Sequence, residues 1–133
     1  MKIRRIDNND VDQVINLLVS SFSPRYNNTF FSNNLNDSRC ITLVAEIDSL
    51  IVGVASLYVI QKLTRKVGLI EDVAVDSNQR GRGIGRKLIE GLIEQSNKKG
   101  CDKTILSSSE KNVPFYEKIG FNVNEIQMVL RNN

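Results

Sequence analysis

Residues 73–86 read Val-Ala-Val-Asp-Ser-Asn-Gln-Arg-Gly-Arg-Gly-Ile-Gly-Arg and place three glycines within five positions, between an apolar run and an amphipathic one. Glycines at that density leave backbone N–H groups unshielded, and a helix beginning among them adds positive partial charge. Such a loop suits a pyrophosphate. Arg80, Arg82 and Arg86 supplement it with side-chain charge. No Lys-Ser/Thr follows the glycines, so the loop is not of the Walker type, and the spacing is not GxGxxG. Taken alone, the segment leaves open a structural glycine turn with solvated arginines.

Two further groups carry reactive side chains. Glu71 and Asp72 are adjacent acids inside an apolar run, where a regular strand would send them to opposite faces. Burying such a pair is costly unless it meets a cleft, a ligand or a partner. The alternative is a surface carboxylate pair on a bulged strand. Asn112-Val-Pro-Phe-Tyr-Glu-Lys-Ile-Gly-Phe121 reads as a short capped helix whose apolar residues suit a core, yet Tyr116 gives it a phenolic proton donor. The chain has no histidine at all. That excludes imidazole triads, His-containing zinc sites and an ordinary near-neutral base.

Composition narrows the setting. The chain has 133 residues, 41% hydrophobic and 25% charged, which fits one domain with its own core. A net charge of +3 does not imply nucleic acid. Cys40 and Cys101 form neither a disulfide framework nor a CxxC motif, and neither is expected to be a nucleophile. No run approaches the roughly 20 apolar residues of a membrane span, and the charged start Met1–Asp7 does not read as a signal peptide. The expectation is a cytoplasmic chain without metal, membrane or nucleic-acid partners.

The elements that must hold these groups follow from periodicity. Lys2–Ile6 reads as an edge strand. Val11, Val14, Ile15, Leu18 and Phe22 mark a one-faced helix that Ser23-Pro24 ends. The Asn/Ser-rich stretch to Arg39, with Tyr26, Phe30, Phe31 and Leu35, suits a short helix or a substrate-facing flap. Cys40–Ile47 and Leu50–Gln61 are β-rich and joined by Asp48-Ser49, a hairpin signature. Lys62–Lys66 is a basic connector into a third strand, Val67–Val75. Gly83–Asn97 has helical spacing through Leu88, Ile89, Leu92 and Ile93, closed by Lys98, Lys99 and Gly100. Lys103–Leu106 is a short strand, Val113–Ile119 a short helix, and Phe121–Val123 and Ile126–Arg131 finish as strands. This order implies a mixed α/β sheet flanked by helices.

Together, Arg80–Gly85 and Asn112–Phe121 resemble the GCN5-related N-acetyltransferase (GNAT) superfamily. The first fits its Gln/Arg-x-x-Gly-x-Gly/Ala signature and the second its Asn-x-x-Phe-Tyr-x-x-x-Gly-Phe block. The resemblance implies one N-acetyltransferase domain over residues 1–133 with an α/β (α+β) fold. Its mixed, mostly antiparallel sheet would have six to seven strands, splayed at the centre and flanked by about four helices. It implies acetyl-CoA as co-substrate, with the pyrophosphate on the loop formed by Arg80, Gly81, Arg82, Gly83, Ile84, Gly85 and Arg86. The pantetheine arm would run along Val73, Ala74 and Val75, the Val73 N–H would polarise the thioester carbonyl, and Asn112, Phe115 and Tyr116 would contact the cofactor. Tyr116 would protonate the departing thiolate.

A narrower resemblance covers nearly the whole chain. Ile3-Arg4-Arg5, Gly68–Val75, Gly100–Lys103 and Glu110–Lys118 look like glucosamine-6-phosphate N-acetyltransferases. It implies that Glu71 and Asp72 face an amino sugar, that Glu71 helps remove the amine proton, and that the enzyme is a homodimer exchanging its last strand. The chain departs from that pattern in three places. Ser107 stands where an acidic residue is usual, leaving a backbone carbonyl to orient the amine. Leu69 replaces a frequent histidine, and the segment from Phe22 to Cys40 is shorter. Lys62, Arg65, Lys66, Lys103 and Arg131 are candidates for the sugar phosphate, Arg131 in the context most like the family's, although a solvated terminal arginine remains its ordinary reading. Another small amine, or a protein amine, would share the cofactor chemistry.

Overall fold

The computed structural model describes residues 1–22 and 33–132. The expected stop at Ser23-Pro24 and the aromatics Tyr26, Phe30 and Phe31 lie outside them. The described strands are β1 (Lys2–Arg5), β2 (Cys40–Ile47), β3 (Leu50–Gln61), β4 (Lys66–Val75) and β5 (Lys103–Ile105). They form one sheet in sequence order, antiparallel from β1 to β4, with β5 parallel to β4. The helices are α1 (Val11–Ser21), α2 (Ile84–Lys98) and α3 (Val113–Ile119), with a further helical turn at 33–35. The β2–β3 hairpin turns on Asp48 and Ser49, both with positive φ (50° and 67°). Positive φ at both central residues is the type I′ geometry that matches strand twist.

Each face of the sheet buries one helix. Leu88, Ile89 and Leu92 of α2 are fully enclosed against Ile41, Leu43, Ala55, Leu57 and Ile70. On the opposite face Val14, Leu17 and Leu18 of α1 cover Val44, Ile51, Val54 and Ala74. Phe22, counted with the α1 stripe from spacing, stands past the helix end and is exposed. The α2 contact is close enough to require a glycine. A Cβ on Gly68 would lie 2.5 Å from Ser96 Oγ, a buried hydroxyl that accepts a 2.7 Å bond from Thr104 and so joins α2 to β5.

One ion cluster secures the N-terminal strand. Asp10 is 5% exposed, and its two oxygens accept from Arg4 Nη1 and Nη2 at 2.7 and 2.9 Å. Arg4 also donates to Glu46 Oε1 on β2 at 2.7 Å, and the Asp7 N–H donates to Asp10 at 2.8 Å. The Arg4 guanidinium holds the Asp10 carboxyl below its ordinary value of 3.8. A depressed carboxylate contributes stability above its unfolded-state pKa and loses it as pH falls through the folded one. Asp10→Asn should therefore cost about 3 kcal/mol at pH 7 by urea unfolding, because it leaves Arg4 half-paired. The difference from wild type should shrink below pH 4.

The strand count corrects one expectation. The sheet has five strands among the described residues, not six to seven. Phe121–Val123 and Ile126–Arg131 adopt no strand pairing. Ile126, Met128 and Leu130 are 91%, 90% and 88% exposed. A strand requires an edge to pair with, and β5 presents only three residues. No helix among the described residues is long and apolar enough to cross a membrane. No metal-binding cluster of carboxylates and thiols occurs among them either.

Candidate active site

The glycine loop has the backbone its composition suggests. Gly81 and Gly83 sit at φ +83° and +75°, and a Cβ on either would meet nothing within 4 Å. They are needed for the left-handed conformation, which costs other residues about 1–2 kcal/mol. Gly83 caps α2 directly, without a side-chain cap bond, so the first helical N–H groups face the loop. Arg80 and Arg82 are exposed and form no ion pair among the described residues, whereas Arg86 meets Glu90 one turn on at 3.6 Å. Open amides and uncommitted guanidinium groups fit a pyrophosphate. Gly83→Ala should raise the KM for acetyl-CoA by about tenfold through loop distortion alone, with a smaller effect on the acceptor KM in steady-state assays.

The two sequence blocks meet at Gly85. A Cβ there would stand 3.5 Å from Phe115 Cζ and 3.7 Å from Val75 Cγ2, so the start of α2, the helix α3 and the end of β4 converge. Val73, Val75 and Tyr116 all rest on the α2-side core. Tyr116 is flanked edge-on by Phe115 and Phe121, at ring-centroid distances of 5.0 and 6.0 Å. Burial pushes its phenol above the ordinary value of 10, which keeps the proton on at neutral pH. Asn112 ends a 3₁₀ turn ahead of α3 and is exposed.

β4 and β5 pair only from Val67↔Lys103 to Leu69↔Ile105, while β4 runs on to Val75. Past that pairing β4 has no register partner on this side from Ile70 to Val75 among the described residues, because β5 ends at Ile105. Ser107, exposed, lies two residues past the end of β5.

The acid pair lies at a bulge. Ser56 pairs with Glu71 and Val54 with Ala74, so Asp72 and Val73 have no register partners and Asp72 takes φ +57°. The extra residue reverses the strand's alternation. Ile70 belongs to the α2-side core, but Ala74 belongs to the α1-side core. Glu71 and Asp72 consequently do not point to opposite faces. Both reach the α1 face, where Asp72 Oδ2 accepts from the Tyr58 hydroxyl at 2.6 Å. Burial raises the Glu71 carboxyl above its ordinary value of 4.5, and the Asp72 charge adds to the effect. The rest of this polar patch is Thr42 bonded to Ser56 at 2.7 Å, with Cys40 beside them. Tyr58 was not among the expected site residues. Its only sequence signal is its i+2 spacing from Ser56 within an apolar strand.

The phosphate candidates are scattered. Lys103 pairs with Val67, four residues along β4 from Glu71, which is roughly 13 Å. Arg65 is committed to Asp102 at 3.4 Å, and Lys66 donates to the Lys99 carbonyl at 3.4 Å. Arg131 lies on the exposed C-terminal stretch. No side-chain hydrogen bond or ion pair joins any of these four to the acid pair among the described residues.

A five-stranded sheet whose β4 runs on past the end of β5, with a glycine-rich loop feeding α2 from the end of β4, is the frame that carries the family likeness. The chain belongs to the acetyltransferase (GNAT) family, whose model matches residues 11–121. More particularly, it is 57% identical over 83 residues to a glucosamine 6-phosphate N-acetyltransferase of Trypanosoma brucei brucei, a match covering 60% of this chain and 56% of that protein. It is 40% identical over 96 residues to the enzyme of that name from Arabidopsis thaliana, covering 69% and 64%. The aligned part thus spans less than two-thirds of the length of either of these curated relatives. Among solved structures, a Trypanosoma brucei acetyltransferase superposes with a TM-score of 0.88 at 38% identity, covering 98% of this chain and 99% of that one. The Arabidopsis thaliana glucosamine-6-phosphate N-acetyltransferase superposes with a TM-score of 0.86 at 30% identity, covering 99% and 98%.

Proposed function

We propose that this chain is one N-acetyltransferase domain that transfers the acetyl group of acetyl-CoA directly to the amine of glucosamine 6-phosphate. The observation that carries this reading is the meeting of the glycine loop, the end of β4 and α3 at Gly85. Glu71 assists loss of the amine proton, and the amine attacks the thioester carbonyl beside the Val73 N–H. As the C–S bond breaks, Tyr116 gives its proton to sulfur. The phosphosugar is supported by the names of the similar proteins and by the paired acids on one polar face. In this reading the enzyme is cytoplasmic and supplies UDP-N-acetylglucosamine synthesis. It works as a homodimer in which the apolar 121–132 stretch of each chain is covered by the other, bringing Arg131 and its charge across.

Thiol release from acetyl-CoA with glucosamine 6-phosphate, glucosamine, spermidine and a lysine peptide tests the assignment. Release should be fastest with the phosphosugar. Release with the polyamine or peptide alone would overturn the assignment in favour of another GNAT amine substrate, a reading that Ser107 in place of an acid supports. Acetyl-CoA binding without release on any amine would identify an inactive acyl-CoA-binding module. Light scattering of wild type against Met128→Asp tests the dimer.

A further inference from the structure

We propose that Tyr58 is a positioning residue for the acceptor, holding Asp72 on the acceptor face of the bulge. This rests on the acetyltransferase reading above and adds to it a side chain from a different strand. Asp72 sits with a left-handed backbone between two regular stretches of β4, a conformation that an aspartate tolerates but that nothing in the ladder itself maintains. Tyr58 lies on β3 opposite Leu69, on the face shared by Ser56 and Glu71. Its hydroxyl donates to Asp72 Oδ2 at 2.6 Å, within the short range of a bond to a charged oxygen. One carboxylate oxygen is thereby committed to the protein. No side-chain hydrogen bond to Asp72 Oδ1 occurs among the described residues, so that oxygen is available to an ammonium or hydroxyl donor beside Glu71.

The Tyr58 phenol is half-buried, and burial together with the Asp72 contact holds its proton in place well above neutral pH. The pair therefore does not exchange charge during turnover. Its role is geometric: it converts a carboxylate on a strained, unpaired residue into one with a fixed direction. Without the hydroxyl the acid could rotate toward solvent or relax the bulge, and the acceptor would lose a preset partner.

The test is a double-mutant cycle of Tyr58→Phe and Asp72→Asn, read with whichever amine wild-type enzyme acetylates. Tyr58→Phe should raise the acceptor KM by about tenfold, leave the acetyl-CoA KM unchanged and keep the thermal midpoint near wild type. In the Asp72→Asn background the same change should have little further effect. An unchanged acceptor KM, an equal rise in both KM values, or additive effects in the cycle would overturn the proposal. In wild-type protein, NMR should show a slowly exchanging downfield Tyr58 hydroxyl proton whose shift responds to acceptor and not to CoA. Absence of that response would also overturn it. If wild type rejects glucosamine 6-phosphate but acetylates another amine, the substrate assignment fails while the cycle still judges Tyr58.

Discussion

Tyr116→Phe should lower turnover at neutral pH by about tenfold or more while leaving the KM for acetyl-CoA within a few-fold of wild type. The ring is half-buried between Phe115 and Phe121, and Phe preserves that packing, so the loss reports on the hydroxyl. Burial raises the phenol above 10, whereas a free thiol ionises near about 8.5. Transfer from Tyr116 to the thiolate is therefore somewhat uphill, and the donor helps most as a hydrogen bond to developing negative charge. That places the effect at or below the low end of the roughly 100- to 10,000-fold range of general acids. Wild type should lose activity only above pH 10, and the variant should lack this limb. Unchanged turnover in a stopped-assay comparison would remove Tyr116 from the mechanism.

Glu71→Gln should be the second large lesion, lowering kcat/KM for the acceptor by about 100-fold. The active form is the carboxylate, so wild-type activity should fall as pH drops through a pKa lying above the ordinary 4.5, raised first by burial and then by Asp72. The variant should show no such acidic limb. Stability should move the other way. A carboxyl whose folded pKa is raised stabilises the fold when protonated, and that contribution is lost as pH rises through the folded value. At pH 7 the glutamine variant should thus melt no lower than wild type. A matching drop in melting temperature would make Glu71 a structural residue.

The parts of the site legible in the sequence are those whose chemistry demands contiguous residue types. The loop needs glycine for positive φ and open amides, so Gly81 and Gly83 stand out, and Pro114 and Gly120 bracket α3 for reasons of local backbone geometry. Their meeting at Gly85 is tertiary, and the resemblance implied it where spacing could not. The acid pair went otherwise. Period-2 alternation sends Glu71 and Asp72 apart, but the bulge arises from the register of β3 against β4, which neither strand encodes alone. The strand is bulged, yet Asp72 is no free surface carboxylate, because Tyr58 holds it. Tyr58 itself is hidden in Leu57-Tyr58-Val59, where an aromatic between aliphatics reads as core. The terminal strands failed for a related reason. Their alternation is present, but a strand is a property of two edges, and among the described residues neither stretch pairs with one.

The bulge also makes the length of β4 a counted quantity. Removing Asp72 would leave Val73, Ala74 and Val75 on their present faces, whereas ironing out the bulge with Asp72 kept would turn Ala74 toward α2 and the bulky Val73 and Val75 toward α1. Each residue from there into the glycine loop would rotate by half a turn, and the Val75 contact that now seats Gly85 would be gone. Deletion of Asp72 should therefore lower the melting temperature less than deletion of Ala74, which would set Val75 against α1.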